Sequence, residues 1–263
     1  MKKMLKLMLT ASVSAVVMLA SCTEGDLPAS PMPPATEDTP VQVELKLKSE
    51  KMDTRAIDEN VINDINIYFF SNNINYHFYY PEYAPSFVFQ ILPGTYTLCV
   101  VTNVHKDMGG MTKSELIRYK YSVDDMVDDI PMTASMNVRI LGAMTLPTLE
   151  VIRAAAKIAY TISVDDAVSK NIKLRSVQFF NVPRSAVLIG TNTPSTDKGE
   201  YYDADVVNID NDKTYSEVFY MLENCQGEVE SIVDPKDKSP ENAPECATYM
   251  RIIAEGADKI LEY

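Results

Sequence analysis

The 263-residue sequence predicts an all-β protein, with two β-sandwich units in tandem at residues 41–146 and 147–263 and a short helical excursion in the first. Three observations predict it. Val41 to Lys48 alternates apolar with polar or charged residues for eight positions, the period of a half-buried strand. Short apolar runs bounded by Asn, Pro and Gly recur along the chain at the spacing of sandwich strands. Fifteen tyrosines and no tryptophan suit strands with polar-tipped faces, and a hydrophobic content of 46% suffices for a true core.

In the first unit, Val41–Lys48 is the opening strand, followed by a polar loop, Ser49 to Asn60, that contains Asp53-Thr54-Arg55-Ala56. Ile62 to Phe70 alternates through Ile65, Ile67 and Phe69. Ser71-Asn72-Asn73 is read as a turn, because Asn tolerates positive φ, with Ile74 to Tyr80 as its hairpin partner. Phe87-Val88-Phe89 is a short strand. Leu92-Pro93-Gly94-Thr95 reads as a type II turn before a strongly β-prone run, Tyr96 to Asn103. Gly109-Gly110 then breaks the pattern, and Thr112 with Glu115 at capping-box spacing predicts a short helix through Arg118. Ile130 to Leu141 returns to strand, and Leu146-Pro147 reads as the junction. This unit holds roughly seven strands, the number of a small sandwich.

In the second unit, Ala154-Ala155-Ala156-Lys157 favours helix by propensity, but apolar residues at alternate positions from Ile152 to Val164 favour one long strand, Val151 to Val164. Further strands are expected at Ile172–Val182, Ala186–Ile189, Val206–Ile209, Tyr215–Leu222 and Ala247–Ala254. A polar insertion, Glu228 to Glu245, precedes the last of these.

The N-terminus has a different character. Lys2, Lys3 and Lys6 precede an apolar stretch, Leu7 to Leu19, which is shorter than the roughly 20 residues of a permanent bilayer span and has the length of a secretory leader. It ends Leu19-Ala20-Ser21-Cys22, which resembles the lipobox of bacterial lipoproteins. That resemblance implies a signal peptide at 1–21, cleavage before Cys22, and acylation of its thiol as a membrane anchor. Residues 22–40, with five prolines from Leu27 to Pro40, read as a flexible tether. The acidic residues just after Cys22 resemble a surface-export signal of Bacteroidetes lipoproteins, and equally suit a solvated linker.

Loss of residues 1–21 removes three lysines and no acids, which takes the formal charge from −13 to −16. Such a chain is repelled by nucleic acid. The sequence contains no GxSxG, HExxH, P-loop or GxGxxG pattern, and no CxxC or CxxH pair. Neither His77 nor His105 has a partner at metal spacing, and both are read as non-catalytic. Asp124-Asp125 and Asp128-Asp129 suit a solvated acidic face better than paired catalytic carboxylates or a calcium loop. No cofactor, metal or catalytic residue is expected. Cys99 sits in an apolar run as a buried thiol. Cys225 and Cys246 flank the polar insertion, and either a disulfide or two thiols fits them.

A set of segments, taken in order, resembles a known family. It comprises Thr54-Arg55-Ala56, Ile62 to Phe70, Leu92-Pro93-Gly94-Thr95-Tyr96-Thr97-Leu98 and Val100-Val101-Thr102-Asn103. It continues with Arg153 to Ile158, Val177 to Pro183, Phe219 to Asn224 and Ala247-Thr248-Tyr249-Met250. With the lipobox and the first alternating strand, this order is similar to that of the Bacteroidales fimbrillins, the pilins and their anchor and tip relatives. The resemblance implies two transthyretin-like sandwiches, residence at the outer membrane and in fimbriae, and a role as an adhesion-associated structural subunit. It implies cleavage between Arg55 and Ala56, removal of the first strand with its lipid, and strand exchange with other fimbrial subunits. Relatives usually continue with further strands after the Ala-Thr-Tyr run, so the resemblance leaves two alternatives: a second sandwich that is short and open-edged, or one that is truncated and incomplete. A surface-anchored lipoprotein that binds glycan or protein ligands is the alternative, with Tyr76, Tyr79, Tyr80 and Tyr83 as a candidate platform against the plainer reading of cross-strand packing.

Overall fold

The computed structural model describes residues 38–49, 60–126, 129–209, 213–257 and 259–263. In chain order the first ten strands are β1 (Val41–Leu45), β2 (Leu47–Ser49), β3 (Ile65–Phe70), β4 (Asn75–Tyr80), β5 (Phe87–Ile91), β6 (Gly94–Thr102), β7 (Lys120–Ser122), β8 (Met132–Ile140), β9 (Met144–Thr145) and β10 (Leu149–Arg153). They build a six-stranded sheet, β2-β10-β8-β6-β3-β4, and a three-stranded sheet, β5-β1-β9. Alternate residues of both sheets meet in one core, among them Val43, Leu45, Ile65, Ile67, Phe69, Phe87, Phe89 and Ile91.

All six residues of β3 are buried. Ile65, Ile67 and Phe69 face this core. Tyr68 and Phe70 face the other way, into a second cluster with Leu116, Tyr121, Ala186 and Leu222. The helical excursion supplies part of that cover. Helix α1 (Lys113–Leu116) is shorter than its expected extent to Arg118, but its capping box is present. The Thr112 hydroxyl accepts the Glu115 N–H at 3.2 Å, and the Glu115 carboxylate accepts the Thr112 N–H at 2.7 Å.

The second group of strands is β11 (Ala155–Ser163), β12 (Lys173–Phe180), β13 (Val182–Pro183), β14 (Ser185–Val187), β15 (Tyr201–Tyr202), β16 (Val207–Asn208), β17 (Thr214–Leu222), β18 (Tyr249–Glu255) and β19 (Ile260–Glu262). β11 and β17 pair along their whole length, and a four-stranded sheet runs β16-β12-β18-β19. β14 pairs with β7 of the first group, Ala186 opposite Tyr121.

Four local expectations are corrected. The opening strand Val41–Lys48 is two strands, β1 and β2, in two sheets with Lys46 between them. The long strand Val151–Val164 is two strands in two sheets. The chain changes sheet at Ala154, whose N–H bonds the Pro131 carbonyl at 2.8 Å. Leu92-Pro93-Gly94 is not a type II turn, because Gly94 lacks the positive φ that turn requires and already pairs with Ile140 as the start of β6. It carries the chain from the sheet of β5 to that of β6. In the β3–β4 connection neither Asn72 nor Asn73 has positive φ. The Ser71 hydroxyl oxygen instead accepts the N–H groups of Asn73 and Ile74. The junction expected at Leu146-Pro147 falls between β9 and β10, which both pair with the opening strand.

Candidate functional site

The alternation of Val41 to Lys48 produces a strand with a buried edge on each side. β1 runs antiparallel to β5, Val43 opposite Phe89 and Leu45 opposite Phe87, and parallel to β9, Val43 opposite Met144. The same extended run continues as β2, parallel to β10, Leu47 opposite Leu149. Between these two ladders Pro147 has no N–H to give. The carbonyls of Glu44 and Lys46 are met instead by the N–H groups of Leu146 at 2.8 Å and Leu149 at 2.9 Å. Val43, Leu45 and Leu47 are 0%, 0% and 4% exposed. β1 is an internal strand, between β5 and β9, whereas β2 ends the six-stranded sheet beside β10. The outer residues of the run are polar: Glu44 accepts from the Thr145 hydroxyl at 3.0 Å, and Lys48 pairs with Glu150. Tyr83 reaches across to donate to the Leu47 carbonyl at 3.2 Å.

Cys22, Arg55 and Ala56 lie outside the described residues. Where description resumes, at Asn60, the chain is fastened. The Asn103 carboxamide donates to the carbonyls of Val61 at 2.9 Å and Ile130 at 3.1 Å, and accepts the Asn63 N–H at 2.9 Å. Asn103 holds a left-handed conformation, φ 59°, to do so. Arg153 donates to the Asn60 side chain at 2.9 Å.

The two histidines are held by long-range partners. His77 stacks on Tyr68 with ring centroids 4.5 Å apart, its Nε2 3.1 Å from the Asn66 side-chain oxygen. That oxygen also accepts the Met108 N–H, while the Asn66 amide donates to the Lys106 carbonyl. His77 Nε2 therefore carries a hydrogen and donates it. Burial lowers the His77 pKa, against the opposing pull of Asp107. His105, φ 53°, stands between two carboxylates, with Nε2 3.1 Å from Asp129 and Nδ1 3.9 Å from the buried Asp64. Sequence spacing hid both partners, since Asp64 is 41 residues upstream. The acidic pairs do not assemble. Asp124 and Asp125 form a 3-10 turn capped by Ser122, Asp125 pairs with Lys106 at 3.2 Å, Asp129 is taken by Asn63 and His105, and Asp128 lies outside the described residues. Among the described residues no three His, Cys, Asp or Glu side chains are arranged to hold a metal ion.

Of the tyrosine platform, Tyr76 stacks on Phe78, and its hydroxyl accepts the Leu92 N–H at 3.2 Å. Tyr80 contacts Phe87 with centroids 4.7 Å apart. Tyr96 donates to the Leu92 carbonyl at 2.8 Å, and burial, with Tyr76 beside it, pushes its pKa up to about 12. These rings are cross-strand packing on the strands that enclose β1. Cys99 is a buried thiol, and Cys225 and Cys246 are free thiols, so no disulfide joins them in this structure.

Comparisons with known proteins agree with this architecture. The family description "Domain of unknown function (DUF4906)" matches residues 219–263. No curated protein sequence matches the chain. Among solved structures, a fimbrilin (fimA) from Porphyromonas gingivalis W83 superimposes with a TM-score of 0.58 at 13% identity, covering 85% of this chain and 74% of that one. The tip fimbrial protein Mfa3 from Porphyromonas gingivalis, with C-terminal truncation, superimposes with a TM-score of 0.53 at 13% identity, covering 85% and 80%. The fold is the β-sandwich fold of these fimbrial proteins.

Proposed function

We propose that this chain is a fimbrial structural subunit, exported as a lipoprotein through Cys22 and joined to other subunits by β-strand addition. The observation that carries the reading is the position of residues 41–49. They form the internal strand β1 and the edge strand β2, with three core side chains between them, and they stand just upstream of the Arg55-Ala56 pair. Cleavage there leaves the strand held only by non-covalent contacts. Its departure, with the tether and lipid, opens a groove bounded by β5 on one side and by β9 and β10 on the other. Each bounding strand then presents unpaired backbone groups. The lost burial of Val43, Leu45 and Leu47 costs about 5–9 kcal/mol, at roughly 1.5–3 kcal/mol per side chain. An extended strand from a neighbouring subunit restores both terms. Likeness of fold to fimbrial proteins supports this reading, and strand pairing carries it with no catalytic residue.

The test is the intact mass of the protein from outer membrane and from sheared surface material. A species that begins at Ala56, in high-mass assemblies, is expected, and Arg55→Ala should retain residues 41–55 and block assembly. A protein that keeps its acylated Cys22 in every fraction and never leaves the membrane would overturn strand exchange. It would leave a surface-anchored, ligand-binding lipoprotein.

A further inference from the structure

Between β17 and β18 the chain runs from Glu223 to Thr248 with only a 3-10 turn at Pro235–Asp237. Segments of this length without strand or helix are uncommon in a packed unit and need their ends held. Here the two ends are drawn to one place. On the outgoing side, Asn224 donates to the Cys246 carbonyl at 3.0 Å and to the Thr248 hydroxyl at 2.8 Å. Gln226 donates to the Ser195 carbonyl at 2.7 Å and to the Tyr201 hydroxyl. The Tyr201 phenol is raised first by burial and also by Cys246 close by. Cys225 thus stands between Asn224, bonded to the Cys246 carbonyl, and Gln226, bonded to the Tyr201 hydroxyl near Cys246, while its own thiol meets the Glu223 side chain. Asn224 and Gln226 from one end, and Ala247 and Thr248 from the other, line a single cavity of about 910 Å³. Cys246 is buried and held at φ 61°, a conformation that a non-glycine residue keeps only where its surroundings enforce it.

We propose that Cys225 and Cys246 become a disulfide once the chain reaches an oxidising compartment, closing the 226–245 insertion at its base. This rests on the proposed export and not on strand exchange. Cys225, half-buried where Cys246 is buried, is the entry point. Its thiolate attacks a disulfide of the oxidant, either a protein disulfide or a small-molecule disulfide, and one oxidant thiol leaves. The Cys246 thiolate then attacks the Cys225 sulfur of the mixed disulfide and releases the second oxidant thiol. Two protons and two electrons leave the pair, and the oxidant disulfide is reduced to two thiols. Burial and the adjacent Glu223 raise the Cys225 pKa, so the first step is slow without a catalysing disulfide donor.

The test uses the full chain, exported on its own leader, with free thiols blocked at harvest and again in denaturant. Peptide mapping should give a reducible Cys225–Cys246 linked pair and leave Cys99 as the one blocked thiol beyond the acylated residue. Recovery of Cys225 and Cys246 as separately blocked peptides, or linked to another cysteine, would overturn the proposal. Cys225→Ser, Cys246→Ser and mild reduction of the wild type should each speed tryptic cutting at Lys236 and Lys238 by about tenfold, by freeing the base of the loop. If Cys246→Ser fails to fold, reduction of the wild type gives the same readout. An unchanged cutting rate on reduction counts against a closed loop.

Discussion

The two groups of strands are built from similar residues but buried to different depths. In the first, the six-stranded and three-stranded sheets enclose eighteen buried side chains in one cluster, and every residue of β3 is buried. In the second, the clusters around Leu174 and Phe179 hold three buried side chains each, and β11 has no fully buried residue over nine positions. The alternation of β11 is as regular as that of β3. What differs is cover. β3 has strands on both sides and α1 and β14 over its outer face, whereas β11, among the described residues, pairs with β17 alone. Pattern fixes which face turns inward, and the number of neighbours fixes how dry that face becomes.

The comparison is broken most strongly by emptying each core. Phe69→Ala should cost about 5 kcal/mol in urea unfolding, whereas Phe179→Ala, also buried but in a much smaller cluster and stacked on Phe219, should cost about 3 kcal/mol, the two ends of the range for such truncations. Equal losses would mean the second group is as well supported as the first. Amide exchange should rank β3 and β6 slower than β11 and β17 by the same logic.

Next in size is Asn103→Ala. It leaves the Asn63 N–H and the carbonyls of Val61 and Ile130 without their partner and keeps the left-handed backbone, for about 2–3 kcal/mol. Asn103→Gly should recover only the backbone share. If both variants unfold like wild type, the chain from Asn60 is held by other contacts. Thr112→Ala should cost about 1 kcal/mol and act locally, speeding exchange in 112–118 before β3 responds.

The smallest effect is in pH. His77 has a folded pKa below its ordinary 6.5, so the unfolded chain takes up the proton first as pH falls. Its contribution to stability is whole above about pH 6.5 and is lost as pH drops towards the folded value. His77→Gln, which retains a donor to Asn66, should flatten that slope. Because both histidines stand in the first group, exchange in β11 and β17 should show no such slope.

What the sequence made legible was local. The capping box at Thr112 and Glu115 rests on contacts a few residues apart, and the alternation of Val41–Lys48 marks its buried face but not the break at Lys46 that divides it between two sheets. The sheet change at Ala154 was not legible, because a straight run and a run that crosses between sheets share the same alternation. Nor was the role of Gly94, where Pro-Gly reads as a turn whether the flanking strands pair or part. The surroundings of His105 join residues 64, 105 and 129, brought together only by the pairing of β3, β6 and β8. The parallel pairing of β1 with β9 and of β2 with β10 leaves no mark in either segment.

That strand is also a ruler. Its apolar residues stand at every second position, and the bulge at Pro147 separates two ladders of fixed spacing. A slip of one residue would drive Glu44 and Lys46 into the space of Val43 and Leu45 and turn the apolar set to water. The slot therefore reads position as well as composition. Under the proposed strand addition, an incoming strand would have to present small or branched apolar side chains at the places of 43, 45 and 47, with polar residues between, in a single register. A segment of matching chemistry one residue out of phase would then be rejected as firmly as an unrelated one.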